Sequence, residues 1–199
     1  MIYQLLITIY VLVVWNVQEY ALQNQYTQIL NLQIQNTIRC LSSQRKIKLK
    51  LVDIYCSAIC DKIDSPGSWA AVLICGNAKK NIQGSFPRTN LNRLNLISII
   101  SSVGQLKEPC EVVIYFNSDY VFNSINNGDI IKWKQDNWKL KNGGLVQNED
   151  IWRMLLIQIK AKKHKVKFRK VNIDDKNYLD SLKNAKIELN KYLENDIYS

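Results

Sequence analysis

The stretch Leu106-Lys107-Glu108-Pro109-Cys110-Glu111-Val112-Val113-Ile114-Tyr115-Phe116-Asn117-Ser118-Asp119-Tyr120-Val121 passes from a breaker, through an apolar run, into a polar step. Pro109 interrupts any helix that precedes it. After Glu111, residues 112–116 are β-branched and aromatic without interruption, which predicts a strand over 111–116. Upstream, Asn90 can cap a helix over 92–103, where Leu94, Ile97 and Ile100 share one face. Downstream, helices are predicted over 118–126 and 150–162, joined by a Trp/Lys-rich connection.

The remaining elements fall into place around this centre. Alternation over 47–55 predicts a first strand, a turn follows at Asp64-Ser65-Pro66-Gly67, and 69–75 is an apolar second strand. A third strand is predicted over 79–86, a fifth over 166–171, and an amphipathic helix over 176–193. The order β-β-β-α-β-α-α-β-α implies an α/β fold with a mixed five-stranded sheet flanked by helices. Residues 46–199 form this domain and residues 1–45 an N-terminal helical extension.

Composition narrows the function. The chain has 199 residues, a net charge of +10, 47% hydrophobic residues and a single histidine. The apolar content excludes disorder. One histidine, His164, is a poor basis for a zinc site or a Ser-His-Asp hydrolase and reads as a solvated residue in a lysine run. Five cysteines without C-x-x-C spacing argue against a disulfide scaffold, and Cys56, Cys60, Cys75 and Cys110 read as inert core thiols. Residues 1–44 carry only Glu19 and Arg39, whereas residues 131–170 hold twelve Lys/Arg against three acids. That concentration has the form of an electrostatic footprint for nucleic acid, with a solvated lysine face as the bland alternative.

Residues 1–17 are uncharged but short for a membrane span, and they lack the basic flank of a secretory signal. From Glu19 to Leu41 apolar residues recur at helical spacing. An anchor, a targeting segment and a helix docked on a neighbour compete here, and docking is preferred.

Residues 48–193 resemble the type 1 ribonucleases H. The quoted stretch is similar to the family's helix-to-strand segment carrying a central catalytic aspartate. Arg88-Thr89-Asn90-Leu91-Asn92-Arg93-Leu94-Asn95-Leu96 is similar to the family's Asn-Arg-Met-Glu-Leu helix start. Trp133 and Trp138 with their lysines look like the basic protrusion, and Asn148-Glu149-Asp150-Ile151-Trp152 like the helix after it. Pro66-Gly67 and Trp69 to Leu73 fit the first hairpin.

The resemblance implies cleavage of the RNA strand of an RNA–DNA hybrid by two Mg²⁺ held by four carboxylates, which offset the repulsion between the ions. On the matching positions this chain carries Ser57, Asn95 and Asn117, with Asp180 as the remaining carboxylate. The glycine- and histidine-bearing loop before the last helix is absent, because residues 171–175 are too short to contain it. Asp53 lies four residues before Ser57, about 13 Å away at strand rise. Asp61 and Asp64 belong to the hairpin, and Asp119 to the following helix.

These substitutions give the expectation of a pseudoenzyme without metal or cofactor, an RNA-binding or structural component of a ribonucleoprotein. By analogy, an organellar (mitochondrial) ribosome is the natural assembly, with a cytoplasmic location as the alternative. Expected partners are RNA, rRNA included, or an RNA–DNA hybrid, and neighbouring proteins through residues 1–45, with a membrane disfavoured. The candidate nucleic-acid contacts are Asn92, Lys132, Trp133, Lys134, Trp138, Lys139, Lys141, Lys165, Lys167 and Arg169. The alternative is an active, Mg²⁺-dependent hybrid ribonuclease with a rearranged metal site. A third reading is an interaction module tethered to a membrane by residues 1–17.

Overall fold

The structure, a computed structural model, describes residues 15, 18–20, 22–36 and 49–197. The expected apolar segment 1–17 therefore lies outside the described residues except for Trp15, as do residues 47–48 of the first expected strand and 37–41 of the expected helix. The chain divides between Lys48 and Leu49 into two units. The first contains helix α1, residues 22–36, an exposed helix that displays Tyr26, Ile29 and Leu30 among glutamines. No helix among the described residues is long and apolar enough to cross a membrane.

The second unit is a five-stranded sheet in the order β3-β2-β1-β4-β5. Strands β1 (Lys50–Cys60), β2 (Ser65–Cys75) and β3 (Ala78–Thr89) form an antiparallel meander. The chain then crosses through α2 (Leu91–Gly104) to β4 (Cys110–Phe116), which lies parallel to β1. A longer crossover through α3 (Asp119–Asn126), α4 (Asp129–Gln135) and α5 (Glu149–Ala161) returns to β5 (Lys165–Lys170), parallel to β4. Helix α6 (Lys176–Ile197) closes the chain. Seven-residue α4 sits inside the stretch expected to be a connection, and β1 runs to Cys60, five residues past its expected end.

Residue alternation sets the two layers. Cys56 meets Ser102 of α2, while its neighbour Ser57 meets Ser181 of α6, so the two helices cover opposite faces of the sheet. On the α2 side, Val52, Ile54, Leu73, Val112, Ile114 and Phe116 pack against α2, α3 and α5 in one apolar cluster, with Trp152 fully buried in it. On the α6 side, small residues of β2 (Ser68, Ala70, Val72) let the helix approach closely. Ser68 donates to the Ala185 carbonyl at 2.6 Å. Gly67 is required by close packing at the start of β2: a Cβ there would stand 2.7 Å from Leu94 and 2.9 Å from the Ile59 carbonyl.

The ends of α2 and α3 follow local chemistry. Asn90, extended, accepts from the Arg93 N–H at 2.9 Å, and Ser118 accepts from the Val121 N–H at 3.3 Å. An Arg93–Asp150 fork, 2.7 and 3.1 Å, ties the start of α2 to the start of α5.

Candidate active site and nucleic-acid interface

The parallel β1–β4 pair ends at Cys56 and Phe116, which puts Ser57 and Asn117 together one residue beyond the last rung. This is the carboxyl end of the parallel strands, where α/β sheets place their ligand crevices. Helix α6 contributes Ser181, while Asn95 stands on α2, the helix that covers the other face of the sheet. Ser57 and Ser181 share a 2.8 Å hydrogen bond and are 1% and 0% exposed. Ser181 also reaches the Ala70 carbonyl at 3.0 Å, and Ser98 of α2 reaches the same carbonyl at 2.9 Å. Serines on two helices thus clamp one β2 carbonyl from opposite faces. Asn95 is buried, with its Nδ2 donating to the Leu91 carbonyl at 2.9 Å. Asn117 stays exposed. Below the site, burial pushes the Cys56 thiol up to about 11, against a smaller opposing effect of the Ser98 and Ser102 hydroxyls, so it is an inert core thiol.

Asp180 stands elsewhere. It pairs with Lys79 of β3 at 2.6 Å, and that hydrogen bond is the main cause that holds its carboxyl below the usual range. A helix turns about 100° per residue, so Asp180 and Ser181 face different strands. The residue beside Ser57 is Ser181, and this corrects the expected position of the remaining carboxylate. Ser57 and Ser181, which meet, are neutral, and so are Asn117 beside the end of β4 and Asn95 on α2. Asp119 is engaged with Lys170 on the surface.

These donors do not fit a pair of divalent cations. Two hydroxyls are closed against each other, one amide nitrogen is held by its own helix, and no charge opposes the repulsion between two ions. Among the described residues no three His, Cys, Asp or Glu side chains gather as a metal-ligand group.

The candidate contacts divide between the two faces of the sheet. Lys134, Lys139 and Lys141 are exposed on α4 and the turn after it and have no acidic partner among the described residues. Lys132 lies 3.5 Å from Asp129. The chain leaving the protrusion is tied to α3 and α2: the Gln147 carbonyl accepts from Tyr120 at 2.8 Å, and Asn148 meets Arg93 at 3.5 Å. Asn92, at the start of α2, is half-buried there. Lys165, Lys167 and Arg169 instead point to the opposite face, with Val166 and Phe168 turned toward the core. Lys167 is engaged with Glu111 at 3.3 Å.

Two aromatic expectations change. Trp138 is only 4% exposed, lies in the core with Arg153 over its ring at 5.2 Å, and has no face to offer a base. Trp133 is half-buried and packs at 6.3 Å against Trp152. His164 is not solvated either. It is 7% exposed, and its Nδ1 accepts the Cys110 N–H at 3.2 Å. Burial, with the Lys162 charge as a lesser cause, lowers its pKa below 6.5. Sequence reasoning also missed Ser181 and the Arg93–Asp150 fork, because neither belongs to a local pattern.

The strand order, the two-faced helical cover and the polar crevice at the ends of β1 and β4 define an α/β domain of the ribonuclease H-like class. Comparison with known proteins makes this specific. The RNase H family model matches residues 50–177. A protein named Ribonuclease H from Caldicellulosiruptor saccharolyticus is 42% identical over 123 residues, 62% of this chain and 83% of that one. Another from Chlorobium phaeobacteroides is 39% identical over 122 residues, 61% of this chain and 82% of its own. Among solved structures, LC9-RNase H1, a type 1 RNase H with the type 2 active-site motif, has the same fold at a TM-score of 0.63 and 20% identity. The match covers 73% of this chain and 75% of that one. LC11-RNase H1, solved in complex with an RNA/DNA hybrid, matches at a TM-score of 0.56 and 13% identity, over 71% of this chain and 99% of its own. The chain belongs to the ribonuclease H family.

Family membership overturns the expectation of a non-catalytic ribonucleoprotein component. Relatives at 37–42% identity, each matched over about four fifths of its length, are named Ribonuclease H, so the pseudoenzyme reading gives way to the enzyme. The expectation of no cofactor falls with it, since the resemblance implies a Mg²⁺-dependent family. Three replaced carboxylates do not outweigh similarity that runs from the start of β1 to the start of α6.

Proposed function

We propose that this chain is a ribonuclease H acting on the RNA strand of RNA–DNA hybrids. The observation that carries the reading is identity near 40% across most of the length of proteins that bear that name. Local chemistry supports the substrate class. Asn92 and Asn117 offer amide groups at the crevice, where sugar and base edges can be hydrogen-bonded, while Lys134, Lys139 and Lys141 supply unpaired positive charge beside it for phosphates. The serine clamp at Ser57 and Ser181 positions β1 against α6 at the base of that crevice. No hydrolytic step is assigned to a metal at these four side chains, because they do not fit one.

The test uses the full chain and a hybrid labelled on each strand in turn, with Mg²⁺ or Mn²⁺ supplied. Cleavage of the RNA strand alone, with duplex DNA left intact, is the expected result. An intact RNA strand with both ions at enzyme excess over hybrid would overturn it.

A further inference from the structure

Between α4 and α5 lies a cavity of about 490 Å³. Its volume falls within the range of about 300–1,000 Å³ common for small-molecule sites. Ile130, Ile131, Leu156 and Ile159 line it with apolar surface. Lys134, Lys160 and Lys163 stand around it, and none has an acidic partner among the described residues. A second hollow of about 300 Å³, beside Trp138 and Arg153, shares Lys134, Leu156 and Lys160 with it. Ile131 is 65% exposed at this place, an apolar side chain without cover.

The fourth polar group lining the cavity is His164. Its Nδ1 accepts a backbone N–H from the first residue of β4, which fixes the neutral tautomer and leaves the hydrogen on Nε2. That Nε2 is buried and has no hydrogen-bond partner among the described residues. A buried N–H donor without an acceptor is unfavourable, because the hydrogen bond it gave to water is not replaced. Three unpaired ammonium groups and one orphan donor are thus grouped around an apolar hollow. They lack one thing in common, an anionic acceptor on an apolar body.

We propose that this cavity binds a single-chain amphiphilic anion, an alkyl body with a carboxylate or phosphate-monoester head. The alkyl chain covers Ile130, Ile131, Leu156 and Ile159. The head accepts from His164 Nε2 and is neutralised by Lys160 and Lys163. The cavity shares Lys134 with the proposed hybrid-binding face, but the groups that hold the head, His164, Lys160 and Lys163, are not part of that face.

A single histidine makes the test direct. The full chain is titrated with decanoate, decyl phosphate, 1-decanol and inorganic phosphate, following the one His Nε2–H correlation by NMR. Saturable shifts with decanoate, decyl phosphate or both are expected, and whichever binds identifies the head. Binding of 1-decanol and inorganic phosphate is expected to be weaker by about tenfold or more, a difference near 1.4 kcal/mol. The double variant Lys160→Gln/Lys163→Gln, both exposed positions, should lose most of the affinity at an unchanged melting temperature. Equal binding of 1-decanol, an unmoved Nε2–H signal, or undiminished affinity in the double variant would each overturn the proposal.

Discussion

At Ser57 the backbone leaves room for a hydroxyl and little more. The side chain is 1% exposed and its hydroxyl meets Ser181 at 2.8 Å. Ser57→Asp would bring a carboxylate into that closed space with one hydroxyl as its donor. We expect a loss of about 3 kcal/mol at pH 7, the order of a buried charge left uncompensated, read by urea unfolding. Burial raises such a carboxyl's pKa in the folded state, so the penalty should shrink as pH falls towards about 4. An unchanged midpoint at pH 7 would mean that the serine clamp opens to solvent. His164 gives a second prediction of opposite sign. Its folded pKa is lowered, chiefly by burial, so the unfolded chain takes up the proton first. Its contribution is fully present above 6.5 and is lost as pH falls below that value toward the lowered folded pKa. The Nε2–H resonance should therefore titrate below 6.5, and His164→Phe should flatten the acid limb of stability against pH. Neither environment was legible in sequence. Asp180 and Ser181 are adjacent in the chain, and only the packing of α6 on β1 decides which faces Ser57. His164 sits in a lysine run, and a left-handed residue before it, Lys163, turns it under β4.

Among the elements, α5 joins the layers. Trp152 is fully buried, and its indole N–H donates at 3.1 Å to Tyr120, whose hydroxyl donates at 2.8 Å to the Gln147 carbonyl. The relay links α5, α3 and the turn that carries the protrusion. Trp152→Ala should destabilise by about 3–5 kcal/mol, the range for emptying a large core aromatic position. Trp152→Phe should cost less, because it keeps most of the volume and gives up only the bond to Tyr120. Equal losses in the two variants, measured by denaturant midpoint, would show that the hydrogen bond outweighs the packing. Strands and long helices were legible because their periods extend over enough residues. Residues 111–116 and Asn90 marked β4 and the start of α2 within one residue. Helix α4 was not legible: in seven residues only Ile130 and Trp133 are directed to the core, and Gly128 begins the helix in the left-handed region. Trp138 also takes a left-handed conformation there, which turns its ring inward against expectation.

At the scale of the whole molecule, the charge that looks like one footprint in sequence is two. The net +10 is concentrated over 131–170, yet β5 separates Lys165, Lys167 and Arg169 from the protrusion by directing them to the other face of the sheet. Strand alternation alone implied that direction, but where the protrusion sits follows from α5, whose first turn is fixed to Arg93 and, through Gln147, to Tyr120. The two patches therefore predict different behaviour toward a hybrid. Reversing Lys134, Lys139 and Lys141 to Glu should weaken hybrid binding by more than about tenfold and reduce the salt slope by roughly one for each phosphate no longer neutralised. The three are exposed and unpaired, so the melting temperature should hold within a few degrees. Reversing Lys165, Lys167 and Arg169 should alter affinity far less, since these residues face away from the protrusion and Lys167 already neutralises Glu111. Fluorescence anisotropy against salt, run on both triple variants, separates the two cases. If the β5 triple lowers the slope as much as the protrusion triple, the hybrid runs along the α6 face of the sheet, on which Ser57 meets Ser181, and the protrusion is not its main contact.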